Sequence, residues 1–189
     1  KEQAIPRGSN EFDHIKQAIT NQFNYDQELL RILREQLPII RRDYLLSLVR
    51  GLDVDYADAR KRLESLGIIL TSDEYMIVLA EFEQDSEFFM ESGKDTEKDY
   101  SIARLIVQNV GSELMEYNFL CFDLTIDRFQ TVFLLNLPAS SSEGEIGFLN
   151  NPSKMAAERS KELIRFADTN YKLNINIGIS LCHNGIKSL

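Results

Sequence analysis

Nowhere in the 189 residues is there a run of about 18 apolar residues, the length a membrane-crossing helix needs. The opening KEQAIPRGSN also lacks the hydrophobic centre of a signal peptide. These two absences predict a soluble piece working in the cytoplasm. Basic residues are short as well: 21 Lys and Arg stand against 30 Asp and Glu, for a formal charge of -9. The electrostatic footprint of a nucleic-acid binder is therefore missing, and any DNA contact is expected in a domain outside these residues. Cysteine is limited to Cys121 and Cys182, and histidine to His14 and His183. Both cysteines fall in apolar, strand-like runs and no cluster has metal-ligand spacing. They read as buried thiols in a reducing compartment, with neither metal nor cofactor expected. Ser140, Ser141 and Ser142 have no histidine motif beside them and read as a flexible loop, and His183 reads as a surface residue near the chain end. The segment Ile5-Pro6-Arg7-Gly8-Ser9 reads equally as a protease-site remnant or a native linker and carries no functional argument.

What is present begins with a helical pattern. Asn10 can cap a helix, and Phe12, Ile15, Ile19 and then Leu30, Leu33, Leu37, Ile40 recur at spacings of three and four. The pattern predicts one long amphipathic helix, or two end to end, with Pro38 kinking or restarting it. Such a stripe needs a partner. A parallel coiled coil with a second chain, giving a homodimer, is the favoured reading, with packing inside one subunit as the alternative. Residues 1–50 are thus expected to form a helical linker and dimerisation segment, and residues 51–189 a globular domain. Gly51 should end the first helical region, and a short helix, Tyr56 to Leu66, capped by Asp53 or Asp55, should close at Gly67.

From Tyr75 the period changes. YMIVLAEFE reads as a buried strand, Gln84 to Lys98 as a charged loop or frayed helix start, and Tyr100 to Tyr117 as a helix weakened by Gly111. Asn118 to Leu137 reads as two apolar strands joined by a tight crossing, Thr125-Ile126-Asp127-Arg128. After a loop, Pro138 to Pro152, Ser153 can cap a helix to Asp168, and Leu173 to Leu181 alternates as a last strand. The order strand, helix, strand, strand, helix, strand predicts an α+β, ferredoxin-like βαββαβ palm, a four-stranded antiparallel sheet with two helices on one face.

Three pieces together, MIVLAEFE, the hairpin LTIDRFQTVFLL and the closing LNINIGIS, resemble the GGDEF family of diguanylate cyclases over about Tyr75 to Ser180. In that family two glycines let the backbone press against a guanine nucleotide, and an acid after them helps hold the metal. Here Thr125 and Ile126 fall on the two glycines, Asp127 keeps the third position, Arg128 replaces the glutamate and Phe129 keeps the aromatic. Glu81 and Glu83 fall where active members place a magnesium-binding aspartate pair. Arg128 brings positive charge towards that place, and a pair with Glu81 or Glu83 is expected.

The preceding run, NEFDHIKQAI and then LRILREQLPIIRRDYLLSLVRG, is similar to the cytoplasmic middle region of membrane-linked AraC-type transcription regulators of Gram-positive bacteria. That resemblance implies a degenerate GGDEF-like domain in a parent protein anchored in the cell membrane. It also implies a sensor before the domain and a DNA-reading helix-turn-helix after it. The favoured expectation is a non-catalytic module that relays a sensor's state through a dimer. The alternatives are a domain that binds a nucleotide or other small-molecule effector and, less favoured, an active diguanylate cyclase.

Overall fold

A computed structural model describes residues 8–52, 56–91, 96–138 and 151–185. It is a mixed α+β structure whose five strands form one antiparallel sheet. The chain divides into two compact units, Lys1–Arg41 and Arg42–Leu189.

The first unit contains most of α1 (Gly8–Val49), a single helix of 42 residues that passes through Pro38 without restarting. Pro38 removes one N–H donor, and the carbonyl four residues back loses its partner. Both positions lie on an exposed stretch, where water can satisfy that carbonyl. The helix starts before Asn10, so that residue is not its cap. Arg31 reaches back to Glu28 at 2.6 Å and forward to Glu35 at 3.0 Å, pairs that the three- and four-residue spacing of a helix brings together.

In the second unit, α2 (Tyr56–Ser65) precedes β1 (Glu74–Phe82). Then come α3 (Glu87–Glu91), α4 (Thr96–Glu116), β2 (Leu120–Thr125) and β3 (Gln130–Asn136). The chain continues into α5 (Pro152–Tyr171), β4 (Ile175–Ile179) and a two-residue β5 (His183–Asn184). The sheet order is β2-β3-β1-β4, with β5 beside the start of β1. Strand, helix, strand, strand, helix, strand therefore follows from Glu74 as expected, with α3 added and β5 as an unexpected edge.

Alternation along the strands builds two cores. Met76, Val78, Ala80 and Phe82 of β1, with Phe133 and Leu135 of β3, meet Ala103, Val107 and Met115 of α4 and Ala156, Leu163 and Ala167 of α5. Successive strand residues point to opposite faces. Tyr75, Val132 and Leu134 accordingly join Leu124 of β2 in the second cluster. Helices cover that face too: Leu45 and Leu48, from the last two turns of α1, and Ala59 and Leu63 of α2 belong to this cluster. The expectation of helices on one face only is corrected here. Arg42 to Val49, read from sequence as part of the linker, lie in the second unit. Because β3 is covered on both sides, its run TVFLLN is buried from end to end.

Helix ends follow local chemistry. Gly51 (φ 64) and Gly67 (φ 72) adopt the left-handed conformation that a glycine takes without steric cost. At each, two N–H groups fold back on the last helical carbonyls: Gly51 to Leu48 and Leu52 to Ser47, then Gly67 to Glu64 and Ile68 to Leu63. Asp53 and Asp55 lie outside the described residues. The cap of α5 is Asn151, not Ser153. Its side chain accepts the Lys154 N–H at 3.0 Å, and Pro152 takes the first helical position, where its missing donor costs nothing. Most of the expected loop, residues 139–150, which include the three consecutive serines, lies outside the described residues.

Asn136 is a polar side chain that is fully buried and fully satisfied. Asn136, at the end of β3, accepts the Thr71 N–H at 2.7 Å and donates to the carbonyls of Ser72 and Glu74 at 3.0 and 3.1 Å. It thereby fixes how the chain enters β1.

Gly111 has a packing role that helix propensity does not suggest. A Cβ there would lie 2.8 Å from Phe133 Cε1, and closer still to Cζ, so the ring of β3 sits on bare helix backbone. A Gly111→Ala change should gain up to about 1 kcal/mol in helix propensity and lose roughly 1–3 kcal/mol to overpacking. The expected net result is a melting temperature lower by several degrees in thermal denaturation. An unchanged or higher value would show that Phe133 can move aside.

Candidate functional site

The hairpin corner is built from the ends of β2 and β3. Thr125 is the last residue of β2, so the connection is Ile126-Asp127-Arg128-Phe129, one residue later than expected from sequence. Asp127 organises it, its Oδ1 accepting the N–H groups of Phe129 at 2.7 Å and Gln130 at 2.9 Å. The Ile126 N–H donates to the Gln130 carbonyl at 3.2 Å, and the Phe129 carbonyl accepts the Phe82 N–H at 3.0 Å. Lys172 is the one non-glycine residue with positive φ among the described residues, so a β-branched Ile126 meets no left-handed requirement in this corner. The Ile126 side chain packs against the second core.

Two arginines hold the same corner, Arg42 near the end of α1 and Arg50 in the turn after it. Arg42 donates to Thr125 Oγ1, and Arg50 Nη2 donates to the Ile126 carbonyl at 2.8 Å. Thr125 Oγ1 also accepts from Gln108 Nε2 of α4 at 3.0 Å. One hydroxyl at the sheet's edge thus meets polar groups from helices belonging to both layers. On the other side of the corner, rings run from Phe88 to Phe89 (5.1 Å), to Tyr100 (4.7 Å) and to Phe129 (4.9 Å), tying the turn to α3 and α4.

Arg128 does not pair with either glutamate of the first strand. Its guanidinium lies 2.9 Å from Glu97 at the start of α4, and over the Phe129 ring at 5.7 Å. Glu81 instead accepts from Gln130 Nε2 at 3.3 Å, and Glu83 from Asn176 Nδ2 at 2.9 Å. The reason is local: Gln130 lies directly across from Glu81 in the β1–β3 register, while Glu83 follows β1 where β4 begins beside it. Glu81 and Glu83 lie two residues apart, and each is engaged by a neutral amide. Among the described residues no group of three or more His, Cys, Asp or Glu side chains could hold a metal ion.

The cysteines separate. Cys121 is half-buried, and burial pushes its thiol well above the ordinary range, with Glu116 and Asp123 adding to the effect. It is therefore a poor nucleophile at neutral pH. Cys182 is exposed, which corrects the expectation of two buried thiols. His183 is half-buried in β5, opposite Tyr75, and is not a loose surface residue.

Of the stripe residues, the side chains of Phe12, Ile15 and Ile19 lie outside the described ones; Leu30, Leu33 and Ile40 are exposed and Leu37 is half-buried. No helix among the described residues is long and apolar enough to cross a membrane. Comparison of the chain with protein-family models, curated proteins and solved structures finds no match.

The corner makes a quantitative distinction between its two charged residues. Asp127→Ala removes an acceptor serving two backbone donors and should cost about 1–2 kcal/mol. Arg128→Ala breaks an ion pair between side chains 54% and 72% exposed, which should cost under about 1 kcal/mol. Urea denaturation of the two variants checks the order; Arg128→Ala as the more damaging change would reverse this account of the turn.

Proposed function

We propose that this chain is a non-catalytic signalling module that self-associates through α1 as a homodimer and passes a state change to the hairpin corner. The observation that carries this reading is the hold of Arg42 and Arg50 on Thr125 and Ile126. A shift of the helix cannot leave those bonds in place.

The strand order β2-β3-β1-β4, antiparallel throughout, with helices following β1 and β3, supports a ferredoxin-like palm of the GGDEF kind. The corner's bonding supports a loss of nucleotide chemistry. A phosphate or base approaching a turn needs open backbone and open donors. Here the N–H groups of Ile126, Phe129 and Gln130 are engaged within the hairpin, and the Ile126 carbonyl is engaged by Arg50. The apolar residues of α1 support self-association, since Leu30, Leu33 and Ile40 stand 46%, 52% and 49% exposed. On the AraC-type resemblance, the parent protein would be membrane-anchored, and this cytoplasmic relay would end at a DNA-reading domain outside these residues.

Two measurements test the reading. Incubation with GTP and magnesium should give no cyclic dinucleotide, and product formation would end the non-catalytic account. Hydrogen exchange should show the peptide spanning residues 124–129 exchanging about tenfold faster in Arg42→Ala/Arg50→Ala, equivalent to roughly 1.4 kcal/mol of local stability. The same peptide should change its exchange in Leu33→Lys/Leu37→Lys, where the alteration is confined to α1. A corner indifferent to that change would mean that nothing is relayed.

A further inference from the structure

The sheet ends at β4 with a bonding side open. In the order β2-β3-β1-β4, β4 has β1 on one side and, among the described residues, no strand on the other. The Glu83 N–H donates to the Asn174 carbonyl and the Ser180 N–H to the Ile77 carbonyl, each at 2.9 Å, at the two ends of the β1–β4 register. Bonded pairs alternate along an antiparallel ladder, so Asn174, Asn176, Gly178 and Ser180 bond towards β1. Ile175, Ile177 and Ile179 therefore turn their N–H and C=O groups outward. Edge strands are commonly shielded by a charge, a proline or a bulge. The opposite edge, β2, carries Asp123 and has Thr125 held by Arg42. Residues 173 to 181 carry no charge and no proline.

The sequence of this edge specifies what fits it. Leu173-Asn174-Ile175-Asn176-Ile177-Gly178-Ile179-Ser180-Leu181 reads alike from both ends: Leu, Ile, Ile, Ile, Leu at alternate positions, with short polar residues or glycine between. A second copy laid antiparallel about Ile177 sets Ile177 against Ile177, Ile175 against Ile179 and Leu173 against Leu181. Each outward isoleucine then exchanges both of its backbone bonds with the residue facing it. Leu181, 80% exposed in one chain, gains an apolar neighbour. Asn176 comes opposite Gly178, at the non-bonded positions where paired strands approach most closely. Nothing lies within 4 Å of the place a Cβ would take at Gly178, so the side chain of the second copy's Asn176 has room there.

We infer that β4 pairs with β4 of a second copy, antiparallel and in register about Ile177, joining two sheets edge to edge. This rests on the homodimer proposed above and gives it a contact in the second unit, between the same two copies that α1 joins.

Cross-linking and amide exchange on the full chain test it. In a Cys182→Ser background, Ile177→Cys should oxidise to a disulfide-linked pair, since bonded residues of opposed strands have Cα atoms about 5.5 Å apart, within the span of a disulfide. Ile175→Cys or Ile179→Cys in the same background should give less than about a tenth of that product, because each stands roughly 13 Å along the strand from its own copy. Should Ile177→Cys lower the secondary-structure content by circular dichroism, the unaltered chain gives the answer through amide exchange followed residue by residue by NMR. The N–H groups of Ile175, Ile177 and Ile179 should exchange at least about tenfold more slowly there than in Asn176→Lys/Gly178→Lys, where lysines at exposed positions face one another across the pair. Equal cross-linking at 175, 177 and 179, or free exchange of the three amides in a chain that light scattering shows to be a dimer, overturns the inference and leaves self-association through α1 standing. A monomer overturns both.

Discussion

Everything in the second unit depends on β3 being apolar on both of its faces. A strand reading TVFLLN cannot turn either side to water, so the sheet needs two covers and not one. The first comes from α4 and α5, which follow β1 and β3 in the chain. The second has to be recruited from before the sheet, and the last two turns of α1 together with α2 provide it. Leu45 and Leu48 are 3% and 1% exposed, so the end of the long helix is a structural part of the sheet's body. Burying side chains of that size contributes about 2 kcal/mol each, enough to hold the helix end against the sheet.

The same constraint explains why the corner between β2 and β3 is so fully bonded. Once the last two turns of α1 lie over this face, Arg42 near its end and Arg50 just after it come within reach of Thr125 and Ile126. Ile126 then serves as a packing residue of the second core, the opposite of what a ligand-facing glycine would do. Asp127 spends its carboxylate on backbone donors two and three residues ahead. Arg128, facing outward, finds Glu97 because the start of α4 lies beside the corner.

Much of this was legible in the chain, and what escaped did so for physical reasons. Strands β1, β3 and β4 declare themselves through period and β-branched content, and Gly51 and Gly67 mark real helix ends. The second helical layer is hidden because Leu45 and Leu48 belong to the same continuous helical segment as a stripe that reads as meant for a partner helix; periodicity cannot say what a face packs on. Gly111 looked like a weakness because propensity is a property of one residue, while the reason for it, the ring of Phe133, lies 22 residues away. The partner of Arg128 was misplaced for a related reason. Cross-strand register gives Glu81 to Gln130, and only the fold brings Glu97 near. Asn151 outcompetes Ser153 as a cap because Pro152 takes the first helical position, a signal present in the sequence Asn-Pro-Ser.

The bonding of α1 also sets what kind of motion a relay could use. A packed interface tolerates small continuous displacement poorly, because each buried side chain sits among fixed neighbours. Turning the end of α1 by even one residue's 100° would take Leu45 and Leu48 out of the sheet and both arginines off the corner. A transition built on these contacts is therefore between discrete arrangements, in which the arginines either engage or release Thr125 and Ile126. In such a relay Thr125 would carry that choice onward, for its hydroxyl is shared with Gln108 of α4, so losing the Arg42 contact changes the polar balance of a group that the opposite layer also holds.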